Sequence, residues 1–432
     1  MCFSPSKYNI VIQKNDEFVY LFNSFSGALI KIDAKTFAQL QNGVINQTAF
    51  SPQELEILLK QGFIRNSGFN EYNKILYYDF IAKYIESNKL TLVIAPTLKC
   101  NLACYYCFEQ PNSIIMSEDT VDCIIKYLKL FFESNHEVKK LHITWFGGEP
   151  MIAYKLILQF SKQISQFLKK QGIIFTSSMI TNGTLLDEQN IIELSRIAHV
   201  GRFQITIDGS EKNYCTRKNA TLKQFNNVLN AIIIIIRYAK VSIRLNCDKD
   251  NYSDLKRICI EIINRCKALS PTYLHNLSFY LAKLIDYQCS GDGSYLSQEL
   301  FDAYKLDFNG CISSLLGKHN KLPSYNKTFC GMLKRNNVVI GPAGELYKCE
   351  HYIGNKNKII GNIRNGLMYN NEMLDFVNNK NLLSKCQTCN IFPICLGGCP
   401  AQRSVLNPKD VCYYSLNYII NCLKQYIANK RL

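Results

Sequence analysis

Apolar and polar positions divide the chain into three stretches. Residues 1 to about 70 carry short β-like runs at 8–12, 18–22 and 28–32, broken by Asn and Gly. Ser51-Pro52-Gln53-Glu54 then opens a helix: a Ser cap, Pro at the first helical position and Glu at the third meet the exposed amides from both sides. This predicts a small α+β module over 1–75. From about 91 to 285 the pattern alternates. Strands at 92–96, 141–146, 173–181, 202–208, 241–247 and 277–281 are interleaved with helices at 117–132, 153–170, 187–197, 222–238 and about 253–266. Six such units predict a parallel sheet curled into a partial (β/α)6 barrel over 90–300, an α/β fold whose chemistry sits at the carboxyl ends of its strands. From 311 to 432 the periodicity weakens and cysteines accumulate, so short loops there must be held by something other than an apolar core. No repeat of fixed period is present.

Composition narrows the class. With 47% hydrophobic and 19% charged residues the chain is neither disordered nor fibrous. It has 19 cysteines among 432 residues, too long a chain to need disulfide staples and an odd number that cannot pair completely. Lys7, Lys14, Asp16 and Glu17 interrupt the first twenty residues, so no secretory signal is expected. The longest apolar run, 231–236, is far shorter than the roughly 20 residues that cross a bilayer. A reducing cytoplasm is the expected setting, with thiols available to metal and no membrane partner. The net charge of +16 is scattered over the chain and reads as a composition-wide bias. It permits an acidic peptide partner without demanding one, and nucleic acid is not expected.

Cys100-Asn-Leu-Ala-Cys104-Tyr-Tyr-Cys107 follows directly after the first barrel strand. Three thiolates on one compact loop can hold three irons of a [4Fe-4S] cluster and leave the fourth open. A structural zinc site would want four closed ligands, and the nearest downstream cysteine, Cys123, falls on a helix. This spacing, with Tyr106 before the third cysteine, resembles the radical S-adenosylmethionine (SAM) superfamily. Gly147-Gly148-Glu149-Pro150 ends the second strand, as the family's Gly-Gly-Glu segment does, and the glycines allow close backbone approach to a ligand. The resemblance implies that this segment binds the amino group of SAM. It also implies that the strand ends Thr181-Asn182-Gly183 and Thr206-Ile-Asp208-Gly209 line the site, with Thr206 and Arg217 as candidates for the SAM carboxylate. Taken alone, Asn182-Gly183 and Asp208-Gly209 are ordinary turn chemistry.

A second set reads Cys330-x13-Gly344-x4-Cys349, then Cys386-x2-Cys389-x5-Cys395-x3-Cys399, then Cys412. From the residues alone zinc stays open, although seven cysteines suit two cubane clusters better. The pattern is similar to the SPASM extension of radical SAM enzymes that modify ribosomally made peptides and proteins. The resemblance implies three [4Fe-4S] clusters in all, with Cys330, Cys349 and Cys399 at the first auxiliary cluster and Cys386, Cys389, Cys395 and Cys412 at the second. The first is one ligand short: either Cys311 reaches it through a long loop or an iron is open. Of the nine remaining cysteines most are read as small buried apolar residues, Cys259 and Cys266 among them. One of Cys215, Cys247, Cys289, Cys311 and Cys422 is a candidate hydrogen donor, as peptide epimerases of the superfamily require.

The resemblance implies a 5'-deoxyadenosyl radical that takes a hydrogen from substrate, the cofactor carrying the hard step. Glu350 stands where related sulfatase maturases carry an Asp assigned as base; its plainer reading is a surface or supporting carboxylate. The amino-terminal module resembles the winged-helix leader-binding module of peptide maturases, which would add an extended leader as a strand to a sheet edge; the alternative is a structural cap. Sulfatase maturases generally begin close to the first cysteine loop, whereas nearly 100 residues precede it here. The expected function is therefore thioether or carbon-carbon crosslinking of a ribosomal precursor peptide, with flavodoxin or ferredoxin as reductant. The alternatives are peptide epimerisation and formylglycine formation and, outside enzymes, a zinc protein binding nucleic acid.

Overall fold

The computed structural model describes residues 2–86, 88–109, 112–285, 295–318, 321–378, 382–406 and 412–430. Six parallel strands stand side by side in chain order: Lys89–Ile94, Lys140–Trp145, Ile174–Thr181, Val200–Thr206, Lys240–Cys247 and Leu277–Lys283. Their side chains alternate between two faces. Leu141, Ile143 and Trp145, then Phe203 and Ile205, then Ile243 and Leu245 point to the outer face and are fully buried. There they join one core with the apolar stripes of the crossover helices, including Ile124 and Leu128, Ile157 and Ile164, and Ile232 and Ile235. The helices start where the sequence signals place them. Ser117 caps Glu118–Ser134, and capping boxes at Asp187 and Thr221 open Glu188–Arg196 and Leu222–Tyr238.

The inner, concave face is polar. His142 bonds Thr176 Oγ1 at 2.9 Å and Ser178 Oγ at 3.1 Å on the neighbouring strand, while Gln204, Thr206, Arg244 and Asn246 line a cavity further along the same face. Apolar outward and polar inward positions thus place the core between sheet and helices and leave the barrel lumen to function.

The third stretch differs from its expectation. Asn337–Ile340 pairs in parallel with the first barrel strand, Ile340 opposite Ile94, and Glu345–Tyr347, Gly361–Asn362 and Gly366–Leu367 follow antiparallel, making one sheet of ten strands. The region also has its own apolar packing: Met332, Leu333, Val339, Tyr347 and Ile353 meet Val93 and Phe146 of the barrel. Loops there are not held by cysteines alone. A four-residue strand is too short to show a period, which is why the pattern missed it. The helix Gln298–Leu315 runs through the gap expected between barrel and cysteine-rich stretch.

At the amino terminus, Asn9–Lys14, Phe18–Asn23 and Leu29–Asp33 form an antiparallel meander, and Cys2–Pro5 lies between Ile45–Asn46 and Ile64–Asn66. The Ser51 capping box opens Pro52–Lys60 as read. One face of the meander, Ile10, Ile12, Tyr20 and Phe22, packs on Ile391, Ile394 and the helix Leu416–Lys430. Ser24 Oγ donates to the Asn390 carbonyl at 2.5 Å and Lys7 Nζ to the Gln387 carbonyl at 3.0 Å. This module therefore rests on the cysteine-rich stretch. Among the described residues, no helix is long and apolar enough to cross a membrane.

Candidate active site

The loop carrying Cys100, Cys104 and Cys107 is fixed from three sides. Its two ends pair with each other, Leu98 N to Ile114 O at 3.1 Å and Met116 N to Pro96 O at 2.8 Å. On the second side, Gly148 N donates to Thr97 O at 3.1 Å and Glu149 N to Lys99 O at 2.9 Å. A Cβ on Gly147 would stand 2.3 Å from Thr97 O, and one on Gly148 would stand 2.5 Å from both Leu98 O and Lys99 O. The glycine pair thus first serves close approach to the cysteine loop, where the sequence suggested approach to a ligand. On the third side, the carboxyl-terminal carbonyls of the helix Glu211–Lys218 accept from the loop, Ala103 N to Lys218 O and Tyr105 N to Arg217 O, both 3.3 Å.

All three thiols face a cavity of about 470 Å³ that opens on the concave face of the barrel. Burial pushes the Cys107 thiol up to about 11 and raises Cys100 and Cys104 as well. Thiolates here need a cation beside them, which fits a metal-binding role.

Tyr106 lines the cavity, but its hydroxyl is engaged: it donates to Asp208 and accepts from Lys218 Nζ at 3.0 Å, while Lys218 and Asp208 form a buried ion pair at 3.4 Å. Asn182 lines the cavity too, its Nδ2 bonding Asn101 Oδ1 at 2.9 Å and lying 3.9 Å from Cys100 Sγ. Thr206, Gly147 and Gly148 are in the wall. Two candidates are placed otherwise. Glu149 is fully buried behind the wall, where its carboxylate accepts from Met151 N, Thr181 Oγ1 and Asn182 N. Arg217 is turned to Asp248, with which it forms an ion pair, and over the Tyr105 ring, so it braces the loop from outside the cavity.

The cysteine-rich stretch borders the same cavity. Glu350, His351 and Cys412 line it, and Cys349 Sγ stands 3.6 Å from His351 Nδ1. Ligand atoms of Cys349, Glu350 and His351 all lie within 4.8 Å of one another. Cys330, Cys349 and Cys399 feel one another's charge and that of Glu350, and burial raises Cys330 to about 11. Cys386, Cys389 and Cys412 act in the same way on Cys395, which burial raises to about 12. Two separate groups of desolvated thiols result, a donor chemistry that fits metal clusters.

Cys311 does not join them. It lies on the helix Gln298–Leu315, facing Cys259, Tyr252 and Lys256, because a helical position packed against the neighbouring crossover helix cannot also reach the Cys330 group. Neither Cys311 nor Cys215, Cys247 or Cys422 lines the cavity, and Cys289 lies outside the described residues.

Glu109, Lys218, Arg244 and His351 also line the cavity and were not singled out from sequence. Burial and the charge of Glu149 raise the Glu109 carboxyl to about 7. A signal existed for Arg244: in strand 240–247 it alternates with Ile243 and Leu245, and a polar residue at period two in a barrel strand points inward. His351 follows Cys349 by two. Lys218 had no signal, because its helix was not recognised.

The Radical SAM superfamily profile matches residues 94–259. A cysteine-type anaerobic sulfatase-maturating enzyme of Clostridium perfringens is 24% identical over 378 residues, covering 78% of this chain and 95% of that protein. Among solved structures, native anSMEcpe with bound AdoMet superposes with a TM-score of 0.56 at 19% identity, over 79% of this chain and 97% of that one. Streptococcus suis SuiB bound to precursor peptide SuiA gives 0.52 at 16% identity, over 95% and 100%. Those two likenesses speak to the fold. Together with the cysteine loop at the end of the first barrel strand, the profile match identifies the chain as a radical SAM enzyme.

Proposed function

We propose that this enzyme modifies a ribosomally made precursor peptide, most simply by forming a thioether or carbon-carbon crosslink. The observation that supports this best is the shared cavity: Cys100, Cys104 and Cys107 line it together with Glu350, His351 and Cys412, so a peptide segment entering it meets both cysteine regions. In this reading Cys100, Cys104 and Cys107 hold the first [4Fe-4S] cluster. Cys330, Cys349 and Cys399 hold a second and Cys386, Cys389, Cys395 and Cys412 a third. Bound SAM supplies the hydrogen-abstracting radical. Residues of the concave face, Gln204, Thr206 and Asn246 among them, orient the bound molecules and exclude water. Glu350, facing the cavity beside Cys349, accepts the proton that leaves the substrate as it is oxidised. The edge of the meander at Leu29–Asp33, which pairs on one side only among the described residues, is a place where a leader can add as a strand. A flavodoxin or ferredoxin in the cytoplasm would supply electrons.

A second reading, formylglycine formation, is favoured by Glu350 directly after Cys349 and by relatives that are cysteine-type and serine-type sulfatase-maturating enzymes. Epimerisation is disfavoured, because the four described donor candidates lie away from the cavity. Mass spectrometry of a peptide encoded beside the gene, after anaerobic incubation with SAM and reductant, separates these outcomes. Loss of two hydrogens with two residues joined supports crosslinking; exchange of sulfur for oxygen together with loss of two hydrogens at a Cys, or loss of two hydrogens at a Ser with no residues joined, supports formylglycine; an unchanged mass with deuterium gained in D2O would mean epimerisation.

A further inference from the structure

The fifth barrel strand puts a fixed positive charge into the cavity. Arg244, on Lys240–Cys247 and opposite Tyr280 of Leu277–Lys283, lines the cavity with Tyr280, His351 and Tyr413. Its Nε donates to Asn246 Oδ1 at 2.9 Å and its guanidinium to the Tyr280 hydroxyl. Both partners are neutral, and among the described residues Arg244 forms no ion pair. A second cation reaches the same cavity from the helix Gln298–Leu315. Lys305 Nζ stands 5.0 Å from the ring centroid of Tyr414, 5.1 Å from that of Tyr418 and 5.8 Å from that of Tyr413, and among the described residues it too forms no ion pair. Asp302, one turn earlier, is occupied by Gln298 Nε2 and by the backbone amide and hydroxyl of Ser415. Lys218, which also lines the cavity, is matched by Asp208. Glu109 and Glu350 line it as well, yet neither pairs with Arg244 or Lys305. Two partly buried cations without an anion are costly unless a ligand brings one.

We propose that Arg244, seconded by Lys305, receives an acidic side chain of the precursor peptide, so that the enzyme selects a segment with Asp or Glu close to the residue it modifies. The assignment rests on the peptide-modifying reading of the cavity. A cavity of about 470 Å³ admits only a few residues, so an acid held by Arg244 lies near the modified position. Arg244 keeps its charge at every working pH, and a carboxylate there makes the charge-assisted hydrogen bond that Asn246 and Tyr280 cannot.

Fluorescence anisotropy with the reconstituted, SAM-loaded full-length holoenzyme tests this. The probes are the labelled peptide encoded beside the gene and versions of it in which each Asp or Glu in turn becomes Asn or Gln. Iron content and SAM affinity are recorded for every variant. One of these replacements is expected to weaken binding to wild type about 10–100-fold and to cost Arg244→Gln less than about twofold, because the acid has already lost its partner. Arg244→Lys is expected to keep part of the preference for acid over amide, and Lys305→Met to reduce it less than Arg244→Gln does. A wild type that binds and modifies the peptide but binds every amide version equally overturns the assignment alone, as does an acid whose replacement costs Arg244→Gln as much as wild type. If Arg244→Gln takes up less iron or binds SAM more weakly, Arg244→Lys and Lys305→Met decide by the same comparison. A wild type that neither binds nor modifies the peptide overturns the peptide-modifying reading itself, and this assignment with it.

Discussion

Phe108 and His351 meet with ring centroids 4.6 Å apart and an interplanar angle of 32°. Phe108 follows Cys107 directly and also stacks on Phe146, centroids 6.5 Å apart, while His351 lies two residues beyond Cys349. One aromatic contact therefore joins the loop of the first three cysteines to the segment that carries the cysteine-rich wall. Phe108→Leu keeps apolar volume but removes the ring pairing, and should lower stability by about 0.5–1.5 kcal/mol. Thermal unfolding measures this; an unchanged midpoint would show that the contact does not hold the walls together.

Gly148 sets how closely the second barrel strand approaches the cysteine loop. A methyl group there would collide with backbone carbonyls of Leu98 and Lys99, which cannot turn aside as a side chain can. Gly148→Ala should cost about 1–3 kcal/mol and reduce iron retention at the first cluster. Gly201→Ala, where a Cβ would meet nothing within 4 Å, should stay within about 0.5 kcal/mol of wild type. Equal midpoints for both variants in urea would refute the close-approach argument.

Lys218 neutralises Asp208 where both are almost wholly buried, at 2% and 0% exposure. Lys218→Met strands the carboxylate and the Tyr106 hydroxyl bonded to it, and should cost about 3–5 kcal/mol. Adding Asp208→Asn should recover part of that loss, since the charge that needs pairing is gone. Additive losses in the double variant, read from denaturant unfolding, would argue against the pairing.

His142 gives the fold an acid-sensitive limb. Burial, assisted by the positive charges of Lys89 and Arg202, pulls its imidazole down to about 4, against about 6.5 in the unfolded chain. The unfolded state therefore takes up the proton first as pH falls, so stability drops between about 6.5 and 4 and is unaffected above 7. His142→Gln keeps a polar side chain between Thr176 and Ser178 and should flatten that limb. Urea midpoints across this pH range check it; a variant that follows the wild-type curve would show that another group controls the slope.

Much of this was readable in the residues. The barrel strands and the helix Leu222–Tyr238 follow directly from apolar periodicity, because every outward side chain meets one continuous core. The division of the carboxyl-terminal cysteines into two groups came from the resemblance to the SPASM pattern, since Cys399 lies between Cys395 and Cys412 in sequence and spacing alone does not separate it from them. The side-chain partners of Glu149 and Arg217 did not follow. Both sit in suggestive places in the chain, yet Thr181 and Asn182 claim one and Asp248 the other, and such partners are brought close only by folding. The continuation of the barrel sheet by Asn337–Ile340 was hidden for a related reason: its partner strand lies more than 240 residues earlier.

The central claim is that Cys100, Cys104 and Cys107 build the radical-generating centre while the carboxyl-terminal cysteines hold separate clusters. Its most direct measurement compares anaerobically reconstituted wild type with the triple variant Cys100→Ala, Cys104→Ala, Cys107→Ala for iron content and for reductive cleavage of SAM to 5'-deoxyadenosine. The account predicts that the triple variant loses about a third of its iron and all SAM cleavage, keeping the remaining clusters. Retained cleavage in the triple variant, or a wild-type protein that takes up zinc and cleaves no SAM, would contradict it.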